Sequence, residues 1–273
     1  MREDLICNED NLYHFTNLES LIKILLTEEF LLSNIRNVND YGEFFDDYDL
    51  IAVEEFKKKN NIKENEWKYI LDKEYHEAQQ KDLDRIKQVS KRVSSIYMAC
   101  FTYLSPKENI WDKPSLWGTY ADRGNGVCIV FDKGKLDKLF NNSFQNEKFF
   151  MINGKISYLI GSDYKKITKH LVNYFDGDMN KFVKEKYLIK NKEWSVEQEY
   201  RYLVYPKELS EKNEMFLKLK NILPTIKGVI VGDKVVKYQF DLIKKVKDKL
   251  LPNSRFISMS CLEQPDKFVD LLK

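Results

Sequence analysis

The dipeptide Asn153-Gly154 lies between two apolar runs, Phe149-Phe150-Met151-Ile152 and Ile156-Ser157-Tyr158-Leu159. Asn and Gly together suit the positive-φ positions of a two-residue hairpin turn, so this pattern predicts a pair of antiparallel strands. Antiparallel pairing is incompatible with a purely parallel, doubly wound sheet. The other segments agree, because strand-like and helix-like stretches interleave without a regular strand-helix-strand rhythm. The expected fold class is therefore α+β, a mixed and mostly antiparallel sheet with flanking helices.

Hydrophobic spacing supplies the elements. Leu12-Tyr13-His14-Phe15 reads as a strand, and Thr16 follows as an N-cap with Glu19 three residues on, the reciprocal capping-box arrangement. Leu18, Leu21, Ile22, Leu25 and Leu26 then recur on one helical face. Residues 30–33, 95–101, 127–131, 226–232 and 255–260 read as strands, residues 235–250 as a helix, and helical periodicity runs from about 164 to 190. Pro114 opens a short helix carrying Leu116, Trp117 and Tyr120. From about residue 47 to 93 the pattern is helical and heavily charged, which predicts an insertion on a single α+β domain spanning residues 1–273.

Lys and Arg number 45 and Asp and Glu 43, a net charge of +2, too balanced for a protein whose main task is to neutralise nucleic-acid phosphates. Residues 1–10 hold no apolar signal segment, and no run reaches the roughly 18 apolar residues of a membrane span, so a cytoplasmic location without membrane contact is expected. Cys7, Cys100, Cys128 and Cys261 form no Cys-x-x-Cys pair; Cys100 and Cys128 fall in apolar runs and read as small core residues with free thiols. His14, His76 and His170 lie far apart, and no metal is expected.

Gly124-Asn125-Gly126 lacks the third glycine of a dinucleotide fingerprint and precedes a strand, and no P-loop, nucleophile elbow or His-Glu-x-x-His motif occurs. Chemistry concentrates in Glu197-Gln198-Glu199-Tyr200-Arg201. As a strand, this segment puts Glu197, Glu199 and Arg201 on one face and Tyr200, Tyr202 and Val204 on the other. A guanidinium beside paired carboxylates can hold one ionised while the other accepts a proton or steadies a cation. The same spacing also fits an exposed strand face with a weak surface ion pair. His14, at a strand end, fits either a ligand-binding or a satisfied core histidine, and Trp117 and Tyr120 are spaced as core aromatics.

Taken in order, Leu12-Tyr13-His14-Phe15-Thr16, Leu32-Ser33-Asn34 with Asn39-Asp40 and Glu43, Ala99-Cys100-Phe101, Leu116-Trp117-Gly118-Thr119-Tyr120-Ala121, Gly126-Val127-Cys128-Ile129, and Trp194-Ser195 with Glu197, Glu199 and Arg201 resemble the prokaryotic family called domain of unknown function 2971. Tyr41 departs from it, standing where the family has a proline. A more distant similarity is to ADP-ribosyltransferases. It implies a split, mostly antiparallel sheet with NAD, the substrate, in the cleft between its halves. Under that resemblance Glu199 is the catalytic carboxylate and Glu197 the upstream member of its Glu-x-Glu pair; Arg201, from its chemistry alone, is expected to orient Glu199 or Glu197. His14 binds ribose with Thr16 beside it, and Tyr120, or Trp117 in its place, packs on nicotinamide.

The implied activity is cleavage of the nicotinamide glycosidic bond with transfer of ADP-ribose to an unidentified acceptor, as a toxin or phage-defence effector would do, and without a metal. Two other classes fit the residues: a catalytically inactive nucleotide-binding or sensor module, and a metal-dependent nuclease built on Glu197, Glu199 and Asp40.

Overall fold

The computed structural model describes residues 8–35, 94–160, 179–208 and 216–259. Its strands are β1 (Asn11–Thr16), β2 (Glu29–Asn34), β3 (Tyr97–Thr102), β4 (Val127–Asp132), β5 (Phe149–Lys155), β6 (Ser157–Leu159), β7 (Ile189–Asn191), β8 (Glu199–Pro206), β9 (Phe216–Lys220), β10 (Ile226–Val231) and β11 (Arg255–Ser258). Its α-helices are α1 (Leu18–Thr27), α2 (Pro114–Thr119), α3 (Lys133–Phe144), α4 (Met179–Tyr187) and α5 (Lys237–Leu250). The insertion at about 47–93, the acidic loop with Asp40 and Glu43, Cys7, Cys261, His76 and His170 lie outside the described residues.

Among the described residues, nine strands form one open sheet in the order β11-β10-β4-β1-β3-β2-β9, with β8 also pairing β3 and β5 pairing β8. Every pairing in it is antiparallel except β10 with β11. The mostly antiparallel α+β expectation therefore holds, but not through the hairpin that suggested it. β5 runs straight through Asn153 and Gly154, which pair with Tyr202 and Arg201 of β8. A full ladder against β8 satisfies more backbone groups than a two-residue turn would. A Cβ on Gly154 would lie 3.1 Å from Leu188 Cδ1, so glycine here permits a close approach rather than a turn.

Local corrections follow the same logic. Thr16 stays in β1 opposite Val127, and Asn17 caps α1 instead, its side chain accepting the Ser20 N–H at 2.8 Å. α1 accordingly buries Leu21, Ile24 and Leu25 and leaves Leu26 exposed. The helical stretch ending near residue 190 stops at Tyr187, and residues 189–191 form β7, parallel to β6. Besides β7, two elements were not foreseen: α3, which Asp132 caps and which buries Leu136, Phe140 and Phe144, and β9, the partner of β2.

Side-chain alternation divides the core between the two sheet faces. On one face Phe101, Val127, Ile129, Phe131, Tyr200 and Tyr202 form a continuous cluster with α1, α3 and α5, and Phe140 stacks on Tyr202 at 3.8 Å. The other face is interrupted. α2 packs with Tyr13, Phe15, Cys128 and Val130, while α4 packs with Met98, Leu203 and Tyr205. Between these two apolar patches the sheet itself parts. β8 pairs all six residues of β3 along one edge; along the other, β2 pairs only Tyr97 and Met98 and β1 only Thr102. No helix among the described residues is long and apolar enough to cross a membrane.

Candidate functional site

A side chain occupies the place where β1 and β2 diverge from β3. His14 Nδ1 lies 3.0 Å from the Cys100 carbonyl, which can only accept. Nδ1 therefore carries the proton and stands in for a ladder donor, leaving Nε2 as an acceptor on the neutral ring. Burial lowers the His14 pKa and the Cys100 bond only partly opposes this, so the neutral form prevails at pH 7. Phe30, edge-on at 4.9 Å, and Phe101, at 5.7 Å, hold the ring in place.

Across β3 lies the charged segment. β8 starts at Glu199, whereas Glu197 ends a 3-10 turn (Lys192–Glu197), and Gln198 between them is left-handed at φ 44°. Glu197 thus leaves the sheet, and the three-residue ladder on one strand face is not formed. Glu199 and Arg201 do share a face, with Tyr200, Tyr202 and Val204 on the other as alternation requires. The exposed-face alternative is overturned as well: Glu197, Glu199 and Arg201 are 7%, 6% and 1% exposed.

These charges are paired in full. Arg201 grips Glu199 with two bonds, Nε to Oε1 at 2.6 Å and Nη2 to Oε2 at 2.8 Å, and donates Nη1 to the Tyr187 carbonyl at 3.0 Å. Lys190 of β7 bridges the carboxylates, 2.8 Å from Glu197 Oε2 and 3.4 Å from Glu199 Oε2. Tyr120, at the end of α2, donates its hydroxyl to Glu197 Oε1 at 2.6 Å. Burial alone would raise the Glu199 pKa, but the charge and hydrogen bonds of Arg201, together with Lys190, bring it down to about 2. Glu199 is consequently ionised at neutral pH. Burial and the Glu197 carboxylate push the Tyr120 hydroxyl pKa far up, so it remains a donor.

The bend at Gln198 is fastened on both sides. Its side-chain amide donates to Glu108 Oε2 at 2.6 Å and Ser105 Oγ at 3.2 Å and accepts from Lys113 Nζ at 2.5 Å. Lys113 immediately precedes α2, and Tyr120 immediately follows it, so one short helix links the clasp on Gln198 to the bond on Glu197. Beyond α2 the chain passes through Gly124 (φ 91°), whose carbonyl would meet a Cβ on Gly232 at 2.2 Å. Two glycines there allow the backbones to touch.

His14, Tyr120, Lys190, Glu197, Glu199 and Arg201 line one cavity of about 320 Å³. His14 and the two glutamates therefore line one cavity but reach it from opposite faces of the sheet: His14, opposite Ile129, lies on the Phe101 face, and Glu199 on the other. The structure does not bring Thr16 or Trp117 to the cavity: Thr16 closes β1, and Trp117 is buried edge-on to Phe15, its Nε1 donating to the Ile110 carbonyl at 3.1 Å. Lys190 was missed because Ile189-Lys190-Asn191 is too short for alternation to show and follows a helical pattern. Cys100, placed in the core by its apolar neighbours, is half-buried and lines the cavity; Cys128 is fully buried. Among the described residues no group of three or more His, Cys, Asp or Glu side chains is placed to hold a metal ion.

Residues 116–202 match the model of the family described as protein of unknown function (DUF2971). The matched span includes Tyr120, Lys190, Glu197, Glu199 and Arg201, with His14 outside it. No curated protein and no solved structure matches the chain.

Proposed function

We propose that this protein cleaves the nicotinamide glycosidic bond of NAD and passes ADP-ribose to an acceptor, in the manner of the ADP-ribosyltransferases that its motifs resemble. The observation that carries this reading is that His14 and Glu199, far apart in sequence, line one cavity at the place where β1 and β2 part and the two faces of the sheet communicate. That parting also supports the finer description of the sheet as ADP-ribosyltransferase-like.

The residue chemistry supplies each step. Neutral His14 offers Nε2 to a ribose hydroxyl. As the bond from the ribose C1′ to the nicotinamide nitrogen breaks, its electron pair leaves with nicotinamide and positive charge develops on the sugar. Glu199, with its pKa held to about 2, cannot serve as a proton donor at neutral pH but stabilises that charge as an anion. The acceptor's lone pair then bonds C1′ and its proton is lost, with Glu197, aligned by Tyr120 and Lys190, as the nearby carboxylate to receive it.

One observation favours a second reading. Two carboxylates and two cations sum to zero, which suits a module that binds a nucleotide through its hydroxyls without turning it over. Incubation of purified protein with NAD, with and without cell lysate and EDTA, separates these readings. Nicotinamide release unaffected by EDTA supports the cleavage reading, NAD binding without release supports the module, and EDTA-sensitive cleavage of nucleic acid would support a nuclease against both.

A further inference from the structure

We infer that Trp194 is the platform for the adenine ring of the dinucleotide, and that it sets a preference for a dinucleotide over a mononucleotide substrate. This rests on the proposed NAD cleavage and extends it to the half of the substrate that does not react.

Trp194 is 40% exposed and lines the same cavity as the glutamates. Trp117, by contrast, is 5% exposed with its indole N–H bonded, and Trp111 packs against the core. An indole left half in water forgoes much of the burial that makes tryptophan stabilising. The ring is nevertheless held in one place. The Lys190 ammonium lies 4.8 Å from its centroid, and that ammonium is itself fixed by Glu197 at 2.8 Å. Leu31, on β2, lines the cavity too and is 46% exposed. Two half-exposed apolar side chains from separate elements therefore meet one cavity whose inner groups are charged.

Size decides what they meet. A cavity of about 320 Å³ is at the lower limit for ligand pockets, enough for nicotinamide and its ribose but not for a whole dinucleotide. The diphosphate, second ribose and adenine must extend outward. Of these only adenine is planar and aromatic, and bases stack on exposed aromatic rings whatever their hydrogen-bonding edge. Trp194 precedes Glu197 by three residues on the same 3-10 turn, so ring and carboxylate are set by one piece of backbone.

The test compares nicotinamide release from NAD and from nicotinamide mononucleotide, which lacks adenine, by wild type, Trp194→Ala and Trp194→Phe. Loss of base stacking corresponds to about 5- to 150-fold in affinity. Trp194→Ala should raise KM for NAD by that order more than it raises KM for the mononucleotide, with kcat for NAD falling no more than kcat for the mononucleotide, and be largely rescued by Phe. An unchanged KM for NAD, or equal changes for both substrates, overturns the platform. AMP binding measured by calorimetry keeps the two proposals distinguishable. A wild type that releases no nicotinamide from either substrate defeats the cleavage reading, whereas AMP that binds Trp194→Ala as tightly as wild type defeats the platform alone.

Discussion

Replacing Arg201 by Lys and by Met separates the shape of the guanidinium from its charge. Arg201 is 1% exposed and makes two bonds to Glu199 and one to the Tyr187 carbonyl. Lysine keeps the charge but brings one nitrogen on a flexible stem, so at least one bond to the carboxylate or the carbonyl is lost. Bonds to charged groups contribute about 1.5–3 kcal/mol and an orphaned buried acceptor costs about 1–3 kcal/mol, which places Arg201→Lys near 3 kcal/mol of destabilisation. Methionine also leaves Glu199 with Lys190 at 3.4 Å as its cation, at a cost of about 3–5 kcal/mol.

The same pair fixes an acid limb. The Glu199 pKa is about 2 in the folded protein against an ordinary 4.5, so between those values the folded state binds fewer protons than the unfolded one. Its contribution, about 3 kcal/mol, is therefore complete above about pH 4.5 and lost as pH falls toward 2. Glu108, held to about 2 by Lys113 and Gln198 against the opposing effect of burial, shares that window but does not touch Arg201. The difference between wild type and Arg201→Met thus isolates Glu199. Urea unfolding at pH 7, 4 and 3 measures it. Variants within about 0.5 kcal/mol of wild type at pH 7, or a Met variant with the wild-type acid profile, would refute the paired-cluster account.

Tyr120→Phe removes the 2.6 Å bond to Glu197 and should cost about 1.5–3 kcal/mol in urea unfolding while lowering turnover. Gln198→Gly and Gln198→Ala both lose the clasp, but only Ala bears a Cβ at φ 44°, so thermal unfolding should find the Gly variant more stable by about 1 kcal/mol. Gly232→Ala would set its Cβ 2.2 Å from the Gly124 carbonyl oxygen, so the two backbones must separate, at a cost of about 3 kcal/mol or more, read as a fall in Tm.

Periodicity carried the sheet a long way. Val127-Cys128-Ile129-Val130-Phe131 has the apolar run of a central strand and is one, and Pro114 starts its helix as its fixed φ allows. Asn153-Gly154 misled because the dipeptide permits a turn without requiring one, and pairing with β8 across the sheet outweighed the local preference. At the site, Glu199, Glu197 and Arg201 were visible as residue types at a telling spacing. Their burial was not, since it depends on α2 and α4 leaving a gap between them. Neither the left-handed bend at Gln198 nor the arrival of Lys190 leaves a mark in local spacing: the bend is fastened by Glu108, distant in sequence, and Lys190 sits on a three-residue strand set by its pairing with β6.

Nicotinamide release by wild type, Glu199→Gln and Glu197→Gln reads out whether, in the proposed cleavage, the ionised Glu199 carboxylate stabilises charge on the sugar. Loss of the Arg201 pair will itself lower the stability of Glu199→Gln by about 3 kcal/mol, so rates are taken per folded molecule, with circular dichroism giving the folded fraction. Wild type should cleave NAD, and Glu199→Gln should do so about 10²- to 10³-fold more slowly with KM little changed. Glu197→Gln, which keeps an acceptor for Tyr120, should fall less. Folded Glu199→Gln releasing nicotinamide at the wild-type rate would rule out that role for the carboxylate.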